Sequence, residues 1–106
     1  MVRITSFEEL EWFVRDVLCA RADLDLSTPL FRNVLKRKGH PCGVEFTLVA
    51  PRSVRLSAIW ESFSSRVLFY DQNLDRFQVS QVAGLSIEHL PVEADTVVLK
   101  SMWKGR

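Results

Sequence analysis

The spacing of the apolar residues changes once along this chain, and that change restricts the folds available to it. Across residues 6–21 the apolar side chains recur at helical spacing, and Ser6 followed by Glu9 fits an N-terminal capping box. From Val44 onward, apolar and polar residues alternate, which is typical of strands with one face on a core. The sequence therefore predicts one N-terminal amphipathic helix followed by an antiparallel sheet.

Four segments carry the strand pattern most clearly, and turn-forming residues separate them. The predicted strands cover residues 44–50, 54–61, 66–70 and 76–82. Two shorter apolar pieces are candidates for edge strands, at residues 85–90 and 96–100.

The segment at residues 30–38 has two interpretations. Thr28 with Pro29 resembles the start of a helix, and Gly39 resembles its end. The stretch at residues 37–43 instead resembles the loop of a hairpin between two apolar segments. We favour a strand, because the neighbouring elements are all hairpin-like.

These elements place the chain in the α+β class, as a single domain of 106 residues. The antiparallel meander of about five strands is either packed by the helix on one face or curled into a partly closed barrel. Residues 67–70 are apolar on both faces of their strand, so both faces need cover. A helix of about four turns is ~24 Å long and covers only one of them. The other face is then covered by barrel closure, by the C-terminal segment or by a second copy of the chain.

A second apolar surface on the sheet predicts an interface, because large exposed apolar patches usually mark one. We expect a homodimer or an unidentified protein partner, with a tightly closed single barrel as the alternative. The candidate interface residues are Val49, Ile59, Phe63, Leu68 and Tyr70. Trp12 and Trp103 either contact a partner, because an exposed Trp is costly unless it is used, or pack on each other.

The composition indicates an ordinary globular domain. Apolar residues make up 47% of the chain and charged residues 25%, which excludes wholesale disorder and collagen. The net charge of +1 argues against a histone-like nucleic-acid binder. Two cysteines are too few for a disulfide framework, and no apolar run approaches the ~20 residues that span a bilayer. We therefore expect a cytoplasmic protein that does not enter a membrane.

The charges are nevertheless segregated along the chain. Residues 8–25 hold six acids and two bases, whereas residues 31–55 hold six bases and one acid. The basic stretch supplies a candidate surface for an anion or nucleic acid, comprising Arg32, Lys36, Arg37, Lys38, Arg52 and Arg55. The same charges also fit a solvated set that protects sheet edges, or contacts with the acidic helix of a second copy.

Three weaker patterns have the residue types of chemical sites. His40 close to Cys42 has the composition of an activated thiol nucleophile. The residue types that bind zinc occur without CxxC or HxxxH spacing; they are Cys19, Cys42, His40 and His89. Residues 71–75 begin like a calcium loop, but Arg76 stands where glycine should allow the sharp turn. We therefore assign no catalytic residue, metal or cofactor.

The first functional hypothesis is a non-catalytic protein-interaction or self-associating module. The alternative is a polyanion or nucleic-acid binder that uses the basic residues between Arg32 and Arg55. The second alternative is a small thiol enzyme that uses Cys42 and His40.

Overall fold

One helix packs on a six-stranded mixed sheet in a computed structural model of the protein, which describes residues 1–90. The elements are β1 (Val2–Arg3), α1 (Phe7–Ala22), β2 (Leu30–Arg37), β3 (His40–Val49), β4 (Arg55–Glu61), β5 (Arg66–Tyr70) and β6 (Arg76–Ala83), with 3-10 turns at Pro51–Ser53 and Ile87–His89. The strand order is β1-β6-β5-β4-β3-β2. The predicted α+β class with a mostly antiparallel sheet is confirmed.

Helix α1 begins where the capping pattern predicts it. The Ser6 hydroxyl accepts a hydrogen bond from the Glu9 N–H at 3.1 Å. The Glu9 carboxylate accepts from the N–H and hydroxyl of Thr5, at 2.7 and 2.9 Å, and these bonds lower the pKa of Glu9. The return bond therefore falls one residue earlier than a capping box requires. Asp23, in the left-handed conformation, ends the helix.

The antiparallel part of the sheet is a meander of five strands, β2 to β6, joined in sequence order. Residues 30–37 form the strand that we favoured over a helix. The sixth strand, β1, was not predicted from the sequence. It pairs in parallel with β6 through Val2 and Val82. Residues 87–89 form a 3-10 turn rather than the edge strand considered at 85–90. The segment at 96–100 lies outside the described residues, as does Trp103.

The sheet is not closed, so of the two arrangements that the sequence leaves open, the structure has the sheet packed by the helix on one face rather than the partly closed barrel. β1 and β2 are the two edges of the sheet within residues 1–90, and they are not paired with each other. The physical reason is that α1 supplies the side chains that fill the core, so the sheet does not need to close on itself.

The core lies between α1 and alternate residues of the strands. Leu10, Val14 and Leu18 of α1 are fully buried, one turn apart along one side of the helix. They pack in one cluster with Val44, Phe46, Leu48, Leu56, Ala58, Trp60, Val67, Phe69 and Val82 of the sheet. The intervening strand residues point away from α1, and we call their surface the outer face. None of the helices within residues 1–90 has the length and apolar character that a membrane span requires.

Candidate functional site

The centre of the outer face is an apolar stripe that crosses three strands. Ile59 of β4 pairs with Leu68 of β5, and Leu68 pairs with Val79 of β6. Ile59 is half-buried, Leu68 is 5% exposed and Val79 is 47% exposed. We call these three residues the outer stripe.

Both faces of β5 are shielded from water, as the sequence predicted. Val67 and Phe69 face α1 and are fully buried, and Leu68 between them is nearly so. Leu68 lies outside the core cluster that α1 seals, so its burial arises on the other side of the sheet. Among the described helices, α1 covers the opposite face, and the outer stripe has no helical layer of its own.

The remaining candidate interface residues lie around this stripe. Tyr70 is half-buried on the outer face beside Leu68, and it pairs with Ser57. Val49 is at the end of β3, two residue pairs further along the sheet. Phe63 lies in the turn between β4 and β5 and is 79% exposed, beyond the paired residues of the sheet. The structure therefore brings Ile59, Leu68 and Tyr70 together and leaves Val49 and Phe63 at the periphery.

Val79 is a member of the stripe that sequence reasoning missed. The pairing of β5 with β6 shifts register between Phe69 and Tyr70, which inserts one extra residue in β6. Phe77 consequently lies on the helix side, with its ring 6.1 Å from that of Phe69, while Val79 lies on the outer face. Strict alternation along β6 would put Phe77 and Val79 on the same face. The signal in the sequence for Val79 is that it is a lone apolar residue among Gln78, Ser80 and Gln81.

Charged residues frame the stripe. The Glu61 carboxylate accepts from the Ser64 hydroxyl at 2.7 Å and from the Arg66 guanidinium at 3.0 Å. These bonds lower the pKa of Glu61, the Ser64 bond most strongly, and the charge of Arg76 adds a smaller effect. Glu45 of β3 pairs with Ile59 and so lies just beyond the β4 end of the outer stripe. The outer face therefore has an acidic residue beyond Ile59 and a basic residue beside Val79.

The basic candidates are divided between several places. Arg32 faces α1, where its guanidinium lies 2.6 Å from the Glu11 carboxylate and over the Phe7 ring. Arg37 and Lys38 are exposed at the tip of the β2–β3 hairpin, and Lys36 lies next to them.

Arg52 and Arg55 are at the opposite end of the sheet from that hairpin. Arg37 pairs with His40 at the start of β3, whereas Arg55 pairs with Val49 at its end. A strand of this length spans about 30 Å. The structure therefore does not merge the six basic residues into one surface.

The thiol candidates are also separated. Cys42 is half-buried in β3, where its carbonyl accepts from the N–H and hydroxyl of Ser62 at 3.1 and 2.8 Å. His40 is exposed two residues earlier, at the hairpin. Cys19 is buried under the loop that follows α1, and burial raises the pKa of its thiol. No group of three or more His, Cys, Asp or Glu side chains converges within the part of the chain that the structure describes.

The turn at residues 71–75 uses its acidic residue for folding. Asp71 Oδ1 accepts from the N–H groups of Asn73 and Asp75, at 2.9 and 3.1 Å. Its other oxygen lies 3.6 Å from the Arg21 guanidinium. The pKa of Asp71 is lowered mainly by its hydrogen bond from the backbone of Asp75. These oxygens therefore have partners within the protein.

Comparison with known proteins gives no match: no protein-family model, no curated protein and no solved structure is similar to this chain.

Proposed function

We propose that the protein is a non-catalytic interaction module that self-associates through its outer face. The observation that carries this proposal is the outer stripe, which is apolar across three strands and lies on the face opposite α1. Self-association would remove additional apolar area from water at Val79, which is 47% exposed, and at half-buried Ile59 and Tyr70. Apolar area removed from water is the main driving force of such an association.

The occupant that fits best is a second copy of the chain, because the charges beside the stripe are self-complementary. Glu45 of β3 pairs with Ile59 at one end of the outer stripe, and Arg76 of β6 is the next outer-face residue along the strand from Val79 at the other end. A two-fold axis along the strands places β3 of one copy over β6 of its partner. Glu45 of each copy then lies opposite Val79 of the other copy, with Arg76 at the next outer-face position along the same strand. This approach of opposite charges occurs twice, once on each side of the paired stripes. Packing of two sheets face to face is a common architecture for antiparallel strands.

The two alternatives have less support. A polyanion surface is reduced to the hairpin with Lys36, Arg37 and Lys38, because Arg32 is engaged by Glu11. A thiol enzyme needs a base held next to Cys42, and His40 is exposed at the hairpin rather than held there by a hydrogen bond within residues 1–90.

Sedimentation velocity over a range of protein concentrations tests the proposal, with Val79→Glu as the main variant. We expect a concentration-dependent dimer for the natural sequence and at least a tenfold weaker dimer for Val79→Glu, because the substitution replaces apolar interface area with a carboxylate that loses its water on association. Leu26→Glu is the matched control, since Leu26 is 49% exposed and lies in the loop after α1. A monomer at every concentration, or equal dimerisation of Val79→Glu, contradicts the proposal.

A charge exchange tests the orientation of the two copies. Glu45→Arg and Arg76→Glu should each weaken the dimer, because like charges would then meet across the axis. The double variant should recover most of the lost affinity. Failure of the double variant to recover, while Val79→Glu still dissociates the dimer, would retain the outer face but reject this axis.

A further inference from the structure

A groove of about 650 Å³ lies between α1 and β6, on the face of the sheet opposite the outer stripe. Phe13, Val17 and Ala20 form its helical wall, and Phe77 and Gln78 of β6 form its floor. This groove is independent of the proposed self-association, because the core separates it from the outer face.

The groove exists because one helix is too narrow for this sheet. Six strands at ~4.8 Å spacing extend over about 24 Å, whereas a helix with its side chains is ~10 Å wide. α1 packs against β3 and β4. Phe13 of α1 also reaches Phe69 of β5, which is fully buried, so the uncovered strip beside α1 lies above β6.

The surface of the groove is aromatic and aliphatic. The Phe13 ring meets the Phe69 ring edge-on at 5.8 Å, and the Phe77 ring lies 6.1 Å from the same ring. Phe13, Val17 and Phe77 are only half-buried, so each keeps apolar surface available to a ligand. Ala20 is small and exposed, which lets a second helix approach α1 closely.

The rim of the groove is acidic. Asp16 is exposed and lines the groove. Glu9 is exposed two turns before it on the same side of α1, beyond the lining residues, and it keeps its charge although its Oε1 accepts hydrogen bonds from Thr5. Arg21 is the basic residue of the lining, and its charge is engaged: it lies over the Phe77 ring and 3.6 Å from the Asp71 carboxylate. The rim charge that remains for a ligand is therefore negative.

We propose that this groove binds a basic amphipathic helix of a partner protein. Its apolar side would pack on Phe13, Val17 and Phe77, and its Lys or Arg side chains would face Glu9 and Asp16. A second copy of α1 fits poorly, because it would bring its own Glu8, Glu9 and Asp16 to an acidic rim. Nucleic acids and anionic lipid surfaces are repelled by the same charges.

The probe for this proposal is a model helix of about 14 residues, which is four turns, with leucines on one side and lysines on the other. A fluorescein-labelled version is titrated with the protein and followed by anisotropy. The matched control peptide has glutamate in place of every lysine. We expect the lysine peptide to bind at least tenfold more tightly than the glutamate peptide. Equal binding of the two peptides, or no binding of either, overturns the proposal.

Three variants of α1 locate the binding surface. Asp16→Lys reverses the rim charge, and Ala20→Arg fills the groove; both positions are exposed, so the fold is expected to persist. Each of these two variants should bind the lysine peptide at least tenfold more weakly than the natural protein does. Glu8→Lys is the control, because it makes the same charge change on the same helix but on a side away from the groove. An equal loss for Glu8→Lys and Asp16→Lys would show general attraction to an acidic helix and overturn the proposal.

The peptide titration is repeated with Val79→Glu, which distinguishes the two surfaces. We expect unchanged peptide binding by this variant, because Val79 lies on the outer face. Loss of peptide binding in Val79→Glu would overturn the assignment to the groove, whereas loss of the dimer with peptide binding intact supports it.

Discussion

The two faces of β5 achieve similar burial in different ways. On the helix side, Val67 and Phe69 are fully buried in the cluster that α1 seals. On the outer face, Leu68 is 5% exposed between Ile59 and Val79, and Val79 itself remains 47% exposed. A layer of helix protects a whole row of side chains, whereas the outer face protects the centre of its row and leaves the end exposed. The apolar surface that remains exposed on the outer face therefore lies on β6, at Val79, rather than on β5.

The largest expected effect is on the helix side, for Phe69→Ala. We expect a loss of about 3–5 kcal/mol in the free energy of unfolding, because the ring is fully buried and packs against two other aromatic rings. Urea unfolding followed by circular dichroism measures it. A loss below about 1 kcal/mol would mean that the helix side of β5 is not the tightly packed face.

Leu68→Ala sharpens the comparison from the other face. We expect a loss of about 2 kcal/mol, at the lower end for a buried leucine, because the outer stripe can relax around a smaller side chain. If the outer face pairs with a second copy, this loss grows as protein concentration rises. Urea unfolding at two concentrations measures both effects. A loss as large as that of Phe69→Ala would contradict the difference between the faces.

Trp60→Phe tests how completely α1 excludes water from its side. The Trp60 side chain is fully buried, and its Nε1–H has no hydrogen-bond partner within residues 1–90. Phenylalanine removes this unsatisfied donor while losing some packing, so we expect stability within about 1 kcal/mol of the natural protein. Thermal unfolding measures the change. A loss above about 3 kcal/mol would indicate that the indole N–H has a partner after all.

The smallest effect concerns the charged frame of the outer face. The folded-state pKa of Glu61 is lowered by Ser64 and Arg66, so its contribution to stability is present above the unfolded pKa and is lost as the pH falls through the folded value. Glu61→Gln should therefore flatten the fall in the unfolding midpoint as the pH is lowered through and below the ordinary pKa of a glutamate. Glu8→Gln, which lies outside this frame, is the control. An unchanged acid slope for Glu61→Gln contradicts the role of these hydrogen bonds.

The elements that the sequence could predict are those with a repeating pattern. α1 was found because Ser6 and the helical spacing of its buried residues agree, and β5 was found with its ends at Arg66 and Tyr70. β1 could not be found, because two residues carry no period and their partner in β6 is remote in the chain. The position of Val79 was hidden by the extra residue in β6.

The candidate surfaces were harder to predict than the strands. The charge pattern groups Arg32 with the basic residues of the hairpin, whereas the two-residue spacing from Leu30 and Val34 puts all three on the helix side. The alternation was visible in the sequence, but its partner Glu11 was not, because that contact depends on where α1 lies. The groove beside α1 was missed for the same reason, since it arises from the width of the sheet relative to one helix.

The parallel pairing of β1 joins residues that are about eighty positions apart in the chain. Val2 meets Val82, so β1 docks only after β6 has formed, and closing so long a loop costs entropy that two paired residues scarcely repay. The Ile4 amide, which donates to the Ala83 carbonyl at 2.8 Å, should accordingly exchange its hydrogen for deuterium sooner than amides in the middle of β4. The contact that joins the start of the chain to β6 is therefore expected to open before the centre of the sheet does.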